Sequence, residues 1–168
     1  CGTGVMTGLL AGCGFAATGM DFAEPMLKCA RQKPGRFLIG DAQDCREATA
    51  SYDVILARNL VWTLTEPETA FRDWLRILKP GGRLLIIDGD FVRPNRVEQM
   101  LRLLDPVIGR LQDGHSALTP AQWAEHDRIV TALPFRQGLR CDALLGLLRA
   151  AGFTDPRRES LASIRRVR

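Results

Sequence analysis

Cys1-Gly2-Thr3-Gly4 places two glycines within four residues, and Asp21 follows seventeen positions after Gly4, closing the apolar run Phe15-Ala16-Ala17-Thr18-Gly19-Met20. A tight glycine turn, a helix and then a strand ending in an acid is how an α/β protein cradles an adenine nucleoside. The glycines let backbone pass close to a ligand, and the acid accepts hydrogen bonds from ribose hydroxyls. The strand that feeds such a loop would lie ahead of Cys1, so the chain is expected to begin inside its own binding motif.

Other residues could add to such a site. Asp88 and Asp90 close an apolar strand at the end where open α/β sheets bind ligands, which makes both candidate substrate contacts. His115 and His126 are the two histidines; a solvated surface position is the default reading for each. The five cysteines (Cys1, Cys13, Cys29, Cys45, Cys141) form no C-x-x-C pair and have no histidine at ligand spacing, which argues against zinc and against a disulfide framework. A reduced, cytoplasmic protein without a bound metal is expected.

Composition narrows the class. At 168 residues the chain suits one domain with a real core. Hydrophobic residues at 46% and charged residues at 25% are ordinary for a globular protein, and no apolar run approaches the ~20 residues that span a bilayer. The net charge of +4 is mild and gathers in Arg157-Arg158 and in Arg165-Arg166-Val167-Arg168. With one tyrosine and no alternation of basic and aromatic residues, a nucleic-acid partner is disfavoured.

The elements that must position these residues read as βαβ units. A helix over 5–11 stops at Gly12-Cys13-Gly14; a strand over 15–20, a helix over 24–31 and a strand over 36–39 follow. One or two helical turns are expected in 43–49, then a strand over 52–57. Thr65 and Glu68 have capping-box spacing, and the helix they open carries Phe71, Trp74, Leu75 and Leu78 on one face, so Trp74 reads as core. Lys79-Pro80-Gly81-Gly82 stops that helix, and 83–88 reads as a parallel strand buried on both faces. Helices are expected over 95–111, 120–132 and 141–151, and a strand from Phe153.

The ordered set Gly2-Thr3-Gly4, Asp21, Gly40-Asp41-Ala42 and Leu78-Lys79-Pro80-Gly81-Gly82 resembles the class I S-adenosylmethionine-dependent methyltransferases, of the type 11 kind. The resemblance covers 1–91, returns at Leu147-Leu148-Arg149-Ala150-Ala151-Gly152-Phe153 and is faint between. It implies a doubly wound, mostly parallel Rossmann-like α/β sheet of order 3-2-1-4-5-7-6, lacking here its first strand and its last. Unpaired edges would follow, and with them low stability and weak activity. It also implies one methyltransferase domain over 1–168, with 92–135 as a helical cap facing a small-molecule acceptor. The implied cofactor is S-adenosyl-L-methionine.

Residue by residue, the resemblance puts Gly2, Thr3 and Gly4 beneath the cofactor's methionine part and Asp21 on its ribose hydroxyls. Phe22 and Met26 would pack near the adenosine, Asp41 would take the adenine amino group, and the Ala42 N–H would meet the ring. Arg58 and Asn59 end the strand that contacts cofactor and substrate, and Trp62 stands where relatives place a group facing the methyl. No catalytic triad is expected, since in-line transfer needs chiefly orientation and a dry site. A non-catalytic nucleoside- or partner-binding module on the same fold is the alternative. A nicotinamide enzyme would want glycine where Thr7 stands.

Overall fold

A computed structural model describes residues 1–89 and 120–159. Among these the chain runs α1 (Val5–Gly12), β1 (Thr18–Asp21), α2 (Glu24–Ala30), β2 (Arg36–Ile39), β3 (Tyr52–Arg58), a 3-10 turn (Val61–Thr63), α3 (Pro67–Ile77), β4 (Leu78–Ile87), α4 (Pro120–Ala132) and α5 (Cys141–Ala150). Asp90, the 95–111 helix, His115 and the terminal arginines 165–168 lie outside the described residues, as does most of the 92–135 cap ahead of α4.

Among the described residues the named strands pair in parallel, in two ladders, β1 with β2 and β3 with β4. Among the described residues no ladder joins β1 to β3. The result is two separate two-stranded parallel sheets, β1-β2 and β3-β4. The α/β class stands. The main core lies by the β3–β4 ladder, where Ala57, Val61, Leu64, Ala70, Phe71, Trp74, Phe135 and Leu148 form one buried cluster. By the β1–β2 ladder, Leu27 and Ala30 of α2 are the buried apolar side chains among the described residues.

Helix α3 forms for reasons visible in its residues. Pro67 sits in the first turn, Glu68 is there to meet the positive end of the dipole, and Arg76 lies in the last turn. Ala70, Phe71, Trp74 and Ile77 are its buried stripe. Leu75, expected on that stripe, is instead at the rim at 36% exposure.

Several expectations are corrected. Thr65 and Glu68 make no capping box: the residue preceding α3 is Glu66, without a side-chain cap. Gln43 does that work from a distant loop, its Oε1 accepting from Thr65 Oγ1 at 3.0 Å and from the Glu66 N–H at 2.6 Å. Residues 43–49 contain no helix, because Arg46 takes a left-handed φ of 54° and its neighbours bond to side chains rather than to one another. β1 starts at Thr18 rather than at 15, since the Phe15 N–H still bonds the Leu10 carbonyl at the end of α1. No strand starts at Phe153, whose N–H bonds the Leu148 carbonyl and whose ring packs on the core as the close of α5. β4 is not buried on both faces: Leu85 and Ile87 are 50% and 39% exposed among the described residues, while Leu84 and Ile86 pack inward.

Candidate functional site

The glycine loop is built as a left-handed turn. Gly2 and Gly4 have φ of 57° and 75°, a region that costs a side chain strain, and the Gly4 N–H closes the turn on the Cys1 carbonyl at 3.1 Å. The two glycines serve different ends. A Cβ on Gly4 would lie 2.8 Å from both Ala30 Cβ and Phe37 Cε1, so Gly4 lets α1 sit on α2 and β2. A Cβ on Gly2 would meet nothing within 4 Å, which leaves its backbone open to a ligand. Thr3 is exposed beside it.

Thr7 is buried at 7% exposure. Its Oγ1 would stand 2.6 Å from a Cβ on Gly19 of β1. The close helix–strand approach that a nicotinamide fingerprint makes with a glycine on the helix is made here with the glycine on the strand. No motif in the sequence marks Gly19 for this task.

Asp21 ends β1 and ties the loop to the sheet. Its Oδ2 accepts the Gly2 N–H at 2.7 Å, and its Oδ1 accepts the Ala23 N–H at 2.9 Å. Burial pushes the Asp21 carboxyl upward, while hydrogen bonds from the Ala23 and Gly2 amides pull it down, and the group is held below the usual carboxylate range. A carboxylate offers about four acceptor positions, so Asp21 can still accept from a hydroxyl. Phe22 and Met26 stand beside it, 80% and 46% exposed.

Asp41 lies at the same sheet end. The register pairs Asp21 with Ile39, and the Gly40 N–H extends that ladder to the Asp21 carbonyl at 3.0 Å. Asp41 therefore emerges one residue later on a neighbouring strand, ~4.8 Å away. Its Oδ1 accepts the Gln43 N–H at 2.9 Å, an Asx turn that leaves the side chain exposed. The Ala42 carbonyl turns inward, accepting the Trp74 indole N–H at 2.7 Å.

The end of β3 carries the other candidate residues. Arg58 and Asn59 are exposed, and Asn59 takes a left-handed φ of 51°, a conformation asparagine tolerates better than most residues. That kink turns the Leu60 and Val61 N–H groups onto Asp88 Oδ2, at 3.1 and 2.7 Å, while Asp88 Oδ1 accepts the Gly89 N–H at 2.9 Å. Asp88 thus holds the loop in which the half-buried Trp62 lies, a task its sequence position alone did not reveal. His126 is exposed on α4, with Asp127 Oδ1 3.6 Å from its Nδ1. Among the described residues no cluster of three metal-ligating side chains forms.

The structure thus brings Gly2, Asp21, Asp41 and Asn59 to the carboxyl ends of parallel strands, where α/β sheets bind ligands. An open backbone at Gly2, an ionised acid beside it and a second acid on the next strand suit a positively charged adenine nucleoside.

Comparison with known proteins agrees. The family model described as "Methyltransferase domain" matches residues 1–86. The chain is 31% identical over 124 residues to a demethylmenaquinone methyltransferase of Renibacterium salmoninarum, covering 69% of this chain and 52% of that protein. It is 30% identical over 104 residues to a ubiquinone/menaquinone biosynthesis C-methyltransferase of Azotobacter vinelandii, covering 57% and 37%. The chain spans about half the length, or less, of these curated relatives. Among solved structures, a SAM-dependent methyltransferase of Thermotoga maritima aligns with a TM-score of 0.59 at 21% identity, over 92% of this chain and 61% of its own. A Haemonchus contortus phosphoethanolamine N-methyltransferase 2 in complex with S-adenosyl-L-methionine aligns at 0.63 and 19%, over 92% and 31%. These two likenesses speak for the fold. With half of its length matched by the family model and its fold shared, the chain belongs to the class I S-adenosylmethionine-dependent methyltransferase domains.

Proposed function

We propose that the protein moves a methyl group from S-adenosylmethionine to a small-molecule acceptor by in-line displacement. The observation that carries this reading is the pair of acids, Asp21 and Asp41, leaving adjacent parallel strands with the Gly2 amide fixed on Asp21 at 2.7 Å. When bound, the cofactor supplies a methyl carbon made electrophilic by a positively charged sulfonium.

The chain's own part is to hold and orient. Asp21 accepts the ribose hydroxyls, Asp41 and the Ala42 amide read the adenine edge, and Phe22 and Met26 cover its faces. Gly2, Thr3 and Gly4 pass beneath the methionine part, and Asn59 closes the site from β3. Arg58 and Trp62 stand on the acceptor side, the Trp62 loop being set by Asp88. Such positioning accounts for much of the rate of a transfer that needs no triad. The names of the curated relatives favour a quinone-type ring as the first acceptor to try.

The test is calorimetric titration of S-adenosylhomocysteine into the protein and into Asp21→Asn, with methyl turnover followed in parallel. Loss of hydrogen bonds to a charged group, about 1.5–3 kcal/mol, should weaken binding by about ten- to a hundredfold. Equal affinity in both proteins would refute the site. Binding without turnover on any acceptor would favour the non-catalytic module.

A further inference from the structure

Asp41 is exposed, lies in a turn rather than in an element, and must still meet one edge of a base. What fixes it is not local. On its N-terminal side, Gly40 is held to β1 by the ladder bond to the Asp21 carbonyl. On its C-terminal side, residues 42, 43 and 45 are each bonded to α3 or to the two residues just before it. The Ala42 carbonyl accepts the Trp74 indole N–H at 2.7 Å, Gln43 Oε1 accepts the Thr65 hydroxyl and Glu66 amide, and the Cys45 N–H donates to Asp73 Oδ2 at 2.9 Å. Asp73 is itself held, its Oδ1 accepting from Arg76 Nε at 2.8 Å.

The Trp74 bond is the most constrained of these. The ring is 3% exposed and packs edge-on against Phe71, with centroids 5.5 Å apart at 65°. An indole N–H at that depth has no water to turn to, so it must find a protein acceptor, and the acceptor it finds is the carbonyl one residue after Asp41. The bond dictates the plane of the 42–43 peptide. With residue 40 fixed by the ladder and residue 42 by the indole, the backbone of Asp41 is clamped from both sides.

We infer that Trp74 and Asp73 of α3 are positioning residues for base selection, holding the Asp41–Ala42 turn at the height and tilt that recognise a 6-amino purine. This rests on the proposed reading of Asp41 and Ala42 as the adenine contacts. Neither α3 side chain need touch the ligand. Their effect is on which base is accepted rather than on how much surface is buried.

The test compares S-adenosylhomocysteine with S-inosylhomocysteine, which carries a 6-oxo group where adenine has its amino group, in the wild type, Trp74→Phe and Asp73→Ala. Trp74→Phe keeps an apolar ring and removes the N–H; Asp73→Ala acts at a half-buried position and serves if the core variant folds poorly. Wild type should prefer the adenosyl compound, and each variant should narrow the preference, by about fivefold for one lost hydrogen bond. A simple loss of fold would lower both affinities in proportion and leave their ratio unchanged. An unchanged ratio in both variants would overturn the inference and leave the proposed function standing. A wild type that binds neither compound, or both alike, would overturn the adenine reading and this inference with it.

Discussion

At the scale of single residues, charge and burial at Asp21 decide most of what the site can do. Its carboxylate accepts the Gly2 and Ala23 backbone N–H groups, which pull its pKa down against the burial that would otherwise raise it. Because its folded value lies below the unfolded one, ionised Asp21 stabilises the fold at pH above the unfolded value of ~3.9, and that contribution is lost as pH falls through the lowered folded value. Denaturation midpoints of wild type and Asp21→Asn should therefore differ near neutral pH and converge in acid; a gap that stays constant down to pH 2.5 would contradict this. Cys45 shows the opposite case. Burial, reinforced by the neighbouring Asp73 carboxylate, pushes its thiol up to about 12, so it stays neutral and serves only as a packed group whose Sγ lies 3.6 Å from the Ala42 carbonyl.

At the scale of elements, α3 carries more than its own packing. The Glu66 amide just before it donates to Gln43, its middle bonds to Ala42 and Cys45, and Arg76 near its end donates to the Glu47 carbonyl at 2.8 Å. The whole 42–47 segment is laid along it in place of forming a helix. Gln43→Ala should cost about 1 kcal/mol, the usual value of a lost N-terminal cap. Glu68→Ala, at the position where the sequence suggests a capping box, should stay within about 0.5 kcal/mol, as surface changes do. Urea denaturation of both variants checks this, and the reverse ranking would restore the local capping box. β4 is tied similarly: Lys79 Nζ lies 2.8 Å from Asp53 Oδ2, next to the irregularity in register between Tyr52 and Val54.

At the scale of the whole molecule, the two ladders are unequal. The β3–β4 ladder rests on the main buried cluster, while β1–β2 has Leu27 and Ala30 beneath it. Between them run polar links at the amino ends of the strands. Glu47 Oε2 accepts from the Tyr52 hydroxyl at 2.6 Å and lies 3.7 Å from Arg36 Nη1 of β2. A cofactor held by Asp21, Asp41 and Asn59 would join the halves at the other end. Amides of Met20 and Leu38 should then exchange hydrogen faster than those of Ala57 and Ile86, and S-adenosylhomocysteine should slow the first pair most. Equal protection without ligand would show that one cooperative unit spans both ladders.

The sequence by itself determined the α/β class, the parallel strands and the stations of Gly2, Gly4, Asp21 and Asp41. Each of these depends on local chemistry: glycine where φ is positive, an acid where an apolar run ends, proline and glycine where a helix stops. The same local reasoning placed α4 and α5 within a residue of their observed ends. Tertiary structure alone decided what each polar group bonds to. Gln43 caps a helix through the Glu66 amide 23 residues downstream of it, Trp74 reaches back 32 residues to Ala42, and Asp88 reaches back 27 residues to Val61. A local pattern cannot carry such pairs, because a hydrogen bond is set by distance in space. The competition that Thr65 and Glu68 lost to Gln43 is one that only the folded chain can hold.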